Sequence, residues 1–126
     1  MKKQTILVIE DNEQNLYLMR FLLERHGFVV ADATSGRQGL LMAQELNPDL
    51  IILDIQLPEM DGHAVAAGLR KLNVQKATPI IAVTSHAMVG DREKALESGA
   101  TDYIEKPINP ETFVQQLRRH LPEATG

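Results

Sequence analysis

Five short apolar segments alternate with five longer segments rich in helix-forming residues, and this alternation limits the fold more than any other feature of the sequence. The apolar segments predict strands over Thr5–Ile9, Phe28–Ala33, Leu50–Leu53, Ile80–Val83 and Asp102–Glu105. The remaining segments predict helices over Asn12–His26, Gly36–Leu46, Gly62 to about Leu72, Val89–Ser98 and Pro110–His120. Strands that are apolar throughout are typical of a parallel sheet with helices on both faces. The sequence therefore predicts an α/β domain with a doubly wound, five-stranded parallel sheet, for which the order 2-1-3-4-5 is common.

Length, charge and composition exclude several classes of protein. With 126 residues the chain has the size of one domain, and we expect residues 1–126 to form it without an output domain. The net charge of −4 argues against a surface for nucleic acid or anionic membranes, because both attract clustered positive charge. The absence of cysteine excludes disulfides and thiolate chemistry. Apolar runs are far shorter than the ~20 residues that span a bilayer, and only Met1–Gln4 precede the first strand, so we expect a cytoplasmic protein.

Polar residues follow four of the five predicted strands. Glu10 and Asp11 follow the first strand, Asp54 the third, Thr84 the fourth and Lys106 the fifth. The carboxyl ends of parallel strands meet at one edge of the sheet, and strands 1 and 3 are neighbours in the expected order, about 4.8 Å apart. A single polar residue at a strand end commonly marks only where the chain meets water. Four strand ends that converge on acidic residues indicate a functional site.

The three carboxylates of this site would repel one another. At an effective dielectric constant of about 20, a like-charge pair separated by about 4 Å costs about 4 kcal/mol. Either one carboxylate keeps its proton or a cation lies among them, and Lys106 offsets one charge at most. Oxygen ligands in small number favour Mg²⁺, which completes its shell with water and phosphate oxygens. A carboxylate such as Asp54 beside Mg²⁺, a lysine and a hydroxyl can attack phosphorus to form an aspartyl phosphate.

Four motifs resemble those of the receiver domain of bacterial response regulators, the CheY-like superfamily. They are "VIEDNEQN", "LDIQLPEMDG", "VTSHA" and "EKP", in the family's order and spacing, and the resemblance extends from Ile6 to Leu121. The chain most resembles single-domain receivers of the DivK kind and the receivers fused to hybrid kinases. The resemblance implies the receiver fold, a two-component or phosphorelay role, and no enzymatic output.

The family's roles transfer to matching positions of this sequence. Asp54 would accept the phosphoryl group. Asp11 and the backbone carbonyl of Gln56 would join Asp54 in binding Mg²⁺, with Glu10, in place of the more usual aspartate, acting mostly through a water. Lys106 would pair with the phosphate.

A second set of implied roles concerns the conformational switch. Thr84 would bind a phosphoryl oxygen and move inward, and the ring of Tyr103 would turn inward as Thr84 moves. The position of Lys106 would be fixed by a cis peptide bond to Pro107, a form found in about 5–6% of such bonds.

The lifetime of the phosphoryl group would depend on the side chains that border the path of the hydrolytic water, Gln56 and His86. Neither the amide nor a neutral imidazole is a strong base, but both can order or block a water. His86 can also change charge between about pH 5 and 8. We therefore predict that His86 modulates dephosphorylation, although a side chain that points into solvent would have no effect.

Helix 1 is apolar nearly all the way round, although a helix on one face of a sheet needs only one apolar stripe. The second apolar face favours docking, and in the family this helix meets a sensor histidine kinase or histidine phosphotransferase. The alternative is that Tyr17 and Phe21 are isolated exposed aromatics. The resemblance implies an effector surface on helix 4, strand 5 and helix 5, and these docking residues for the kinase: Asn12, Gln14, Asn15, Leu18, Pro107 and Ile108.

Other readings fit the sequence less well. A Mg²⁺-dependent phosphatase or Toprim-like nuclease needs an acid two residues after the first, where this chain has Gln56. A flavodoxin-like cofactor domain needs a phosphate-binding loop after strand 1, and a pseudo-receiver would lack the acids or the lysine. A receiver excised from a hybrid kinase or a multidomain regulator stays open as an alternative to a stand-alone receiver.

Overall fold

Strands and helices alternate along the whole chain, as the sequence predicts. The computed structural model describes residues 3–57, 61–72, 78–85 and 90–121. The elements in order are β1 (Thr5–Ile9), α1 (Glu13–Arg25), β2 (Val29–Ala33), α2 (Gly36–Leu46), β3 (Leu50–Asp54), α3 (Gly62–Leu72), β4 (Ile80–Thr84), α4 (Asp91–Ser98), β5 (Asp102–Glu105) and α5 (Phe113–Arg118). The strands form one parallel sheet in the order β2-β1-β3-β4-β5, which confirms the predicted fold class and strand order.

The ends of several elements differ from the predicted ones for local reasons. α1 begins one residue later than predicted because Asn12 is its N-cap, with the side-chain oxygen accepting from the Asn15 N–H at 2.9 Å. β3 and β4 each extend by one residue, so that Asp54 and Thr84 are the last residues of their strands. The described part of α4 starts at Asp91, and the predicted first residue, Val89, lies outside the described residues.

Helix α5 is shorter than the predicted span from Pro110 to His120. Residues 110–112 form turns, in which the Asn109 carbonyl accepts from the N–H groups of both Thr112 and Phe113, and the regular helix begins only at Phe113. At the other end, the backbone N–H of His120 bonds the carbonyl three residues earlier, and its ring nitrogen Nε2 lies 2.9 Å from Asp102 Oδ2. The end of the chain's last helix is therefore drawn toward the start of β5.

Each face of the sheet is covered by its own hydrophobic cluster. On one face, alternate strand residues pack against α1 and α5, with Met19, Leu23, Phe113 and Leu117 fully buried. On the other face, the intervening strand residues, including Leu7, Ile51 and Leu53, pack against the helices between β2 and β5. The central strands are therefore apolar on both faces, as expected for a parallel sheet between two helical layers.

Strand register sets the place of the site. Ile9 of β1 pairs with Leu53 of β3, so that Glu10 and Asp54 follow at the same level. Thr84 of β4 pairs with Glu105 of β5, which brings Lys106 to the same edge. None of the helices in the described ranges is long and apolar enough to cross a membrane.

Candidate functional site

Three carboxylates meet at the carboxyl edge of the sheet. One oxygen each of Glu10, Asp11 and Asp54 can be chosen so that all three lie within 4.8 Å of one another. Glu10 and Asp54 are buried, whereas Asp11 is exposed. The cluster therefore has two desolvated carboxylates and one that opens to solvent.

Lys106 is the cation that contacts this cluster. Its ammonium nitrogen lies 2.6 Å from Glu10 Oε1 and 3.3 Å from Asp54 Oδ2, and its side chain is 10% exposed. The Lys106 N–H donates to the Thr84 carbonyl at 2.7 Å, and the peptide bond between Lys106 and Pro107 is cis. The backbone hydrogen bond holds Lys106 at the end of β4, and its ammonium group contacts Glu10 and Asp54.

The surroundings of Glu10 change its pKa. Burial, together with hydrogen bonding to Asp54, raises the pKa of Glu10 from 4.5 to about 7, and the pairing with Lys106 opposes this rise only in part. One ammonium group does not neutralise three carboxylates. At neutral pH the cluster therefore holds either a shared proton or a repulsive charge that a further cation would relieve.

Backbone groups orient the two buried acids. Asp54 Oδ1 accepts from the Gln56 N–H at 2.9 Å, and Glu10 Oε2 accepts from the Asn12 N–H at 3.2 Å. The Glu10 N–H continues the pairing with β2 by donating to the Ala33 carbonyl at 2.9 Å. In each carboxylate, one oxygen therefore accepts a hydrogen bond from the backbone that follows the strand, and the other oxygen faces Lys106.

A side-chain bridge joins the loops after β3 and β4. Gln56 Oε1 accepts from the Ser85 N–H at 2.9 Å and from the Ser85 hydroxyl at 2.7 Å. The sequence analysis predicted a role for Gln56 next to Asp54 but none for Ser85. The position of Ser85 directly after Thr84 could have indicated such a role, but the contact with Gln56 is seen only in the folded chain.

Thr84 and Tyr103 lie on the adjacent strands β4 and β5. Thr84 is 1% exposed at the carboxyl end of β4. Tyr103 packs against the hydrophobic cluster that contains Leu53, and its hydroxyl is buried with no hydrogen-bond partner among the residues that the structure describes. Burial, with Asp91 and Glu105 nearby, raises the pKa of Tyr103 above its usual value of 10. A buried phenol without a partner makes this ring position energetically unfavourable.

The predicted docking residues are only partly exposed. Asn12, Gln14 and Pro107 are exposed, Asn15 and Leu18 are half-buried, and Ile108 is buried in the core cluster beneath α1 and α5. Any contact through Ile108 would therefore need the surrounding surface to open.

The outer face of α1 is aromatic. Leu16, Leu18 and Leu22 pack against the core cluster, which accounts for much of the apolar character of the helix. Tyr17 and Phe21 remain 74% and 43% exposed, and their rings stack with centroids 6.5 Å apart.

The three histidines that the structure describes, His26, His63 and His120, are not part of the acid cluster. His86 lies outside the described residues, so its predicted effect on dephosphorylation stays a prediction. His63 Nδ1 lies 2.9 Å from the Ser98 hydroxyl, and His26 Nδ1 lies 2.8 Å from the Leu22 carbonyl. The first contact joins α3 to α4, and the second lies at the end of α1.

Known proteins share both the sequence and the fold. The sequence model of the response regulator receiver domain matches residues 6–118. The polar-differentiation response regulator DivK of Brucella ovis is 39% identical over 121 residues, which cover 96% of this chain and 98% of DivK. The chemotaxis protein CheY4 of Vibrio cholerae superposes with a TM-score of 0.89 at 30% identity, covering 95% of this chain and all of CheY4.

A further solved structure is the receiver domain of the sensor histidine kinase PA1611 from Pseudomonas aeruginosa. It has a TM-score of 0.85 and 33% identity, and the match covers 94% of this chain and 97% of that domain. In that structure a magnesium ion is coordinated in the active-site cleft.

Proposed function

Because this chain belongs to the response regulator receiver domain family, we propose that it carries a phosphoryl signal on Asp54. The observation that carries the proposal is the environment of this carboxylate. Asp54 is buried at the end of β3, 3.3 Å from the Lys106 ammonium, within a cluster of three acids. A desolvated carboxylate next to a cation is suited to nucleophilic attack on a phosphoryl group.

The proposed reaction is a direct transfer. An Asp54 oxygen attacks phosphorus in a phosphohistidine, the bond from phosphorus to the imidazole nitrogen breaks, and its electron pair returns to the ring. The Lys106 ammonium, now placed between Glu10 and Asp54, would pair with the incoming phosphoryl oxygens. The chain would hydrolyse the same aspartyl phosphate slowly, so it is a signalling protein that assists its own phosphorylation rather than an enzyme acting on other substrates.

The acid cluster suits a magnesium ion. Asp11, Asp54 and the Gln56 carbonyl would supply the direct oxygens, with Glu10 acting through a water, and these hard oxygen donors match the preference of Mg²⁺. Burial and the neighbouring Asp54 raise the pKa of Glu10, and Lys106 opposes this rise only in part, which supports a site for a further cation. When bound, Mg²⁺ would supply positive charge against the phosphoryl oxygens.

Thr84 and Tyr103 would convert phosphorylation into a surface change. A hydrogen bond from the Thr84 hydroxyl to the phosphoryl group would draw this side chain toward Asp54. The ring of Tyr103, on the next strand, would then reposition and alter the face formed by α4, β5 and α5. The charged group favours one of two conformations, which is what a shift in population requires.

The donor would be a sensor histidine kinase or a histidine phosphotransferase, docking near the start of α1 and the Lys106–Pro107 segment in the cytoplasm. A downstream protein would read the face formed by α4, β5 and α5. The near-complete match with DivK supports a stand-alone receiver. The match with the PA1611 receiver favours the second possibility, a receiver that serves within a hybrid kinase.

Acetyl phosphate and Mg²⁺ provide a direct test of the acceptor. Intact mass should show the gain of one phosphoryl group on the wild type and none on Asp54→Asn. A matched control, Asp32→Asn, removes an aspartate that pairs with Arg20 away from the cluster and should leave labelling unchanged. Labelling of Asp54→Asn, or labelling of the wild type that persists in EDTA, would contradict the proposal.

Amide exchange tests the switch. Phosphorylation should change exchange from Val83 to Ile108, and Lys106→Ala should keep the fold but lose that change. Changes confined to the loop after Asp54 would argue against coupling through Thr84 and Tyr103.

A further inference from the structure

The bridge between Gln56 and Ser85 fixes the orientation of an amide at the mouth of the site. A backbone N–H only donates, so the atom 2.9 Å from the Ser85 nitrogen must be the oxygen of the Gln56 side chain. The Ser85 hydroxyl donates to the same oxygen at 2.7 Å. The amide oxygen therefore accepts two hydrogen bonds from one residue.

The bridge lies next to the proposed phosphoryl acceptor. The Gln56 N–H donates to Asp54 Oδ1 at 2.9 Å, and Ser85 follows Thr84 at the end of the neighbouring strand. Gln56 and Ser85 are both exposed, whereas Asp54 is buried. The bridge therefore joins two exposed residues next to a buried acceptor.

Hydrolysis of an aspartyl phosphate requires a water with somewhere to direct a proton. The water oxygen bonds to phosphorus, the bond from phosphorus to the Asp54 oxygen breaks, and its electron pair returns to the carboxylate. The proton of the water leaves with the inorganic phosphate or passes to solvent. The only acceptor on the Gln56 side chain is its amide oxygen, and Ser85 holds that oxygen in the bridge.

We propose that Ser85 is a positioning residue that prolongs the life of the phosphoryl group by holding the Gln56 amide oxygen away from the hydrolytic water. The inference rests on phosphorylation of Asp54. Ser85 acts only through Gln56, so the effects of substituting the two residues should not be additive.

The test follows phosphoryl loss by intact mass after acetyl phosphate is removed in the presence of Mg²⁺. Ser85→Ala removes the hydroxyl bond but keeps the backbone bond, and it should lose the phosphoryl group about fivefold faster, the factor that corresponds to one net hydrogen bond. Ser85→Thr keeps a hydroxyl and should restore a rate near that of the wild type. Ser35→Ala, which removes a hydroxyl at the start of α2, should leave the rate unchanged.

A double-mutant cycle separates this role from a structural one. In the Gln56→Ala background, Ser85→Ala should have no further effect, because the oxygen that it would release is gone. An unchanged rate in Ser85→Ala, or the same acceleration with and without the Gln56 amide, would overturn the inference while Asp54 still becomes labelled. Failure of the wild type to label at all would instead overturn the proposed function on which the inference rests.

Discussion

Replacing Glu10 by glutamine should stabilise the metal-free protein at alkaline pH, even though it removes one partner of a buried ion pair. The side chain of Glu10 is 1% exposed and lies 2.6 Å from the Lys106 ammonium. Breaking a buried pair is usually destabilising because it leaves a charge unpaired. Here Lys106 keeps Asp54 as a partner at 3.3 Å, and the substitution removes the surplus negative charge.

The pKa of Glu10 gives the sign and the size of this effect. The value is 4.5 for the ordinary group and about 7 in the folded protein, where burial is the largest cause of the rise. Between these values the folded state binds a proton that the unfolded state has lost, so the free energy of unfolding falls as pH rises. At about 1.4 kcal/mol per pKa unit, the loss is about 3 kcal/mol. Below pH 4.5 both states are protonated, and above about pH 7 neither is, so the effect lies between these limits.

Urea unfolding in EDTA at pH 5 and pH 8 measures this difference. Because pH 5 already lies above 4.5, the wild type should lose about 2.5 kcal/mol more between the two pH values than Glu10→Gln does. Asp11→Asn is the matched control, because it removes an exposed carboxylate from the same cluster and should retain most of the pH dependence of the wild type. Added Mg²⁺ should stabilise the wild type at pH 8 by mass action and reduce the advantage of Glu10→Gln. Parallel pH curves for the wild type and Glu10→Gln in EDTA would refute the reasoning.

Three further predictions concern other parts of the chain. Gly62→Ala should lower the free energy of unfolding by about 1–3 kcal/mol in urea titrations and weaken labelling of Asp54, because a Cβ there would collide with the backbone of Ile55. Arg70→Ala should lower the free energy of unfolding by about 2 kcal/mol and speed amide exchange around Gly99, because the Gly99 carbonyl accepts two bonds from the guanidinium. Unchanged exchange there would exclude this role. His86→Ala should flatten the dependence of phosphoryl loss on pH between about 5.5 and 8, and identical profiles would leave the histidine without a role.

The sheet and the acid cluster could be predicted because both depend on one-dimensional patterns. Apolar runs of fixed length define the strands, and parallel pairing brings their carboxyl ends to one edge whatever the details of packing. Glu10 and Asp54 therefore meet for a topological reason. The start of α5 was predicted too early, because Pro110 is a good first residue of a helix. The Asn109 carbonyl accepts from Phe113 as in an α-helix but also from Thr112, and the regular helix begins only at Phe113.

Contacts between loop side chains could not be predicted in this way. The bridge from Gln56 to Ser85 depends on the height of two turns above the sheet, and no periodicity encodes that height. The burial of Ile108 is a similar case, because it depends on packing in the core cluster with Phe113 and Val114 of α5. Such contacts follow from tertiary packing and not from a pattern along the sequence.

The burial of the central strands explains why the charges stay together. The four residues of β1 that precede Glu10 are fully buried, and so are the four residues of β3 that precede Asp54. Separating these strands to relieve the repulsion would expose both hydrophobic clusters, at about 25 cal/mol for each Å² of apolar surface, which exceeds the gain from one carboxylate pair. Relief is therefore restricted to a proton, to Lys106 or to an added cation. Substitutions that remove negative charge from this edge should thus stabilise the protein and reduce its capacity to accept a phosphoryl group. Such a conflict is expected where the same residues serve reactivity and destabilise the fold.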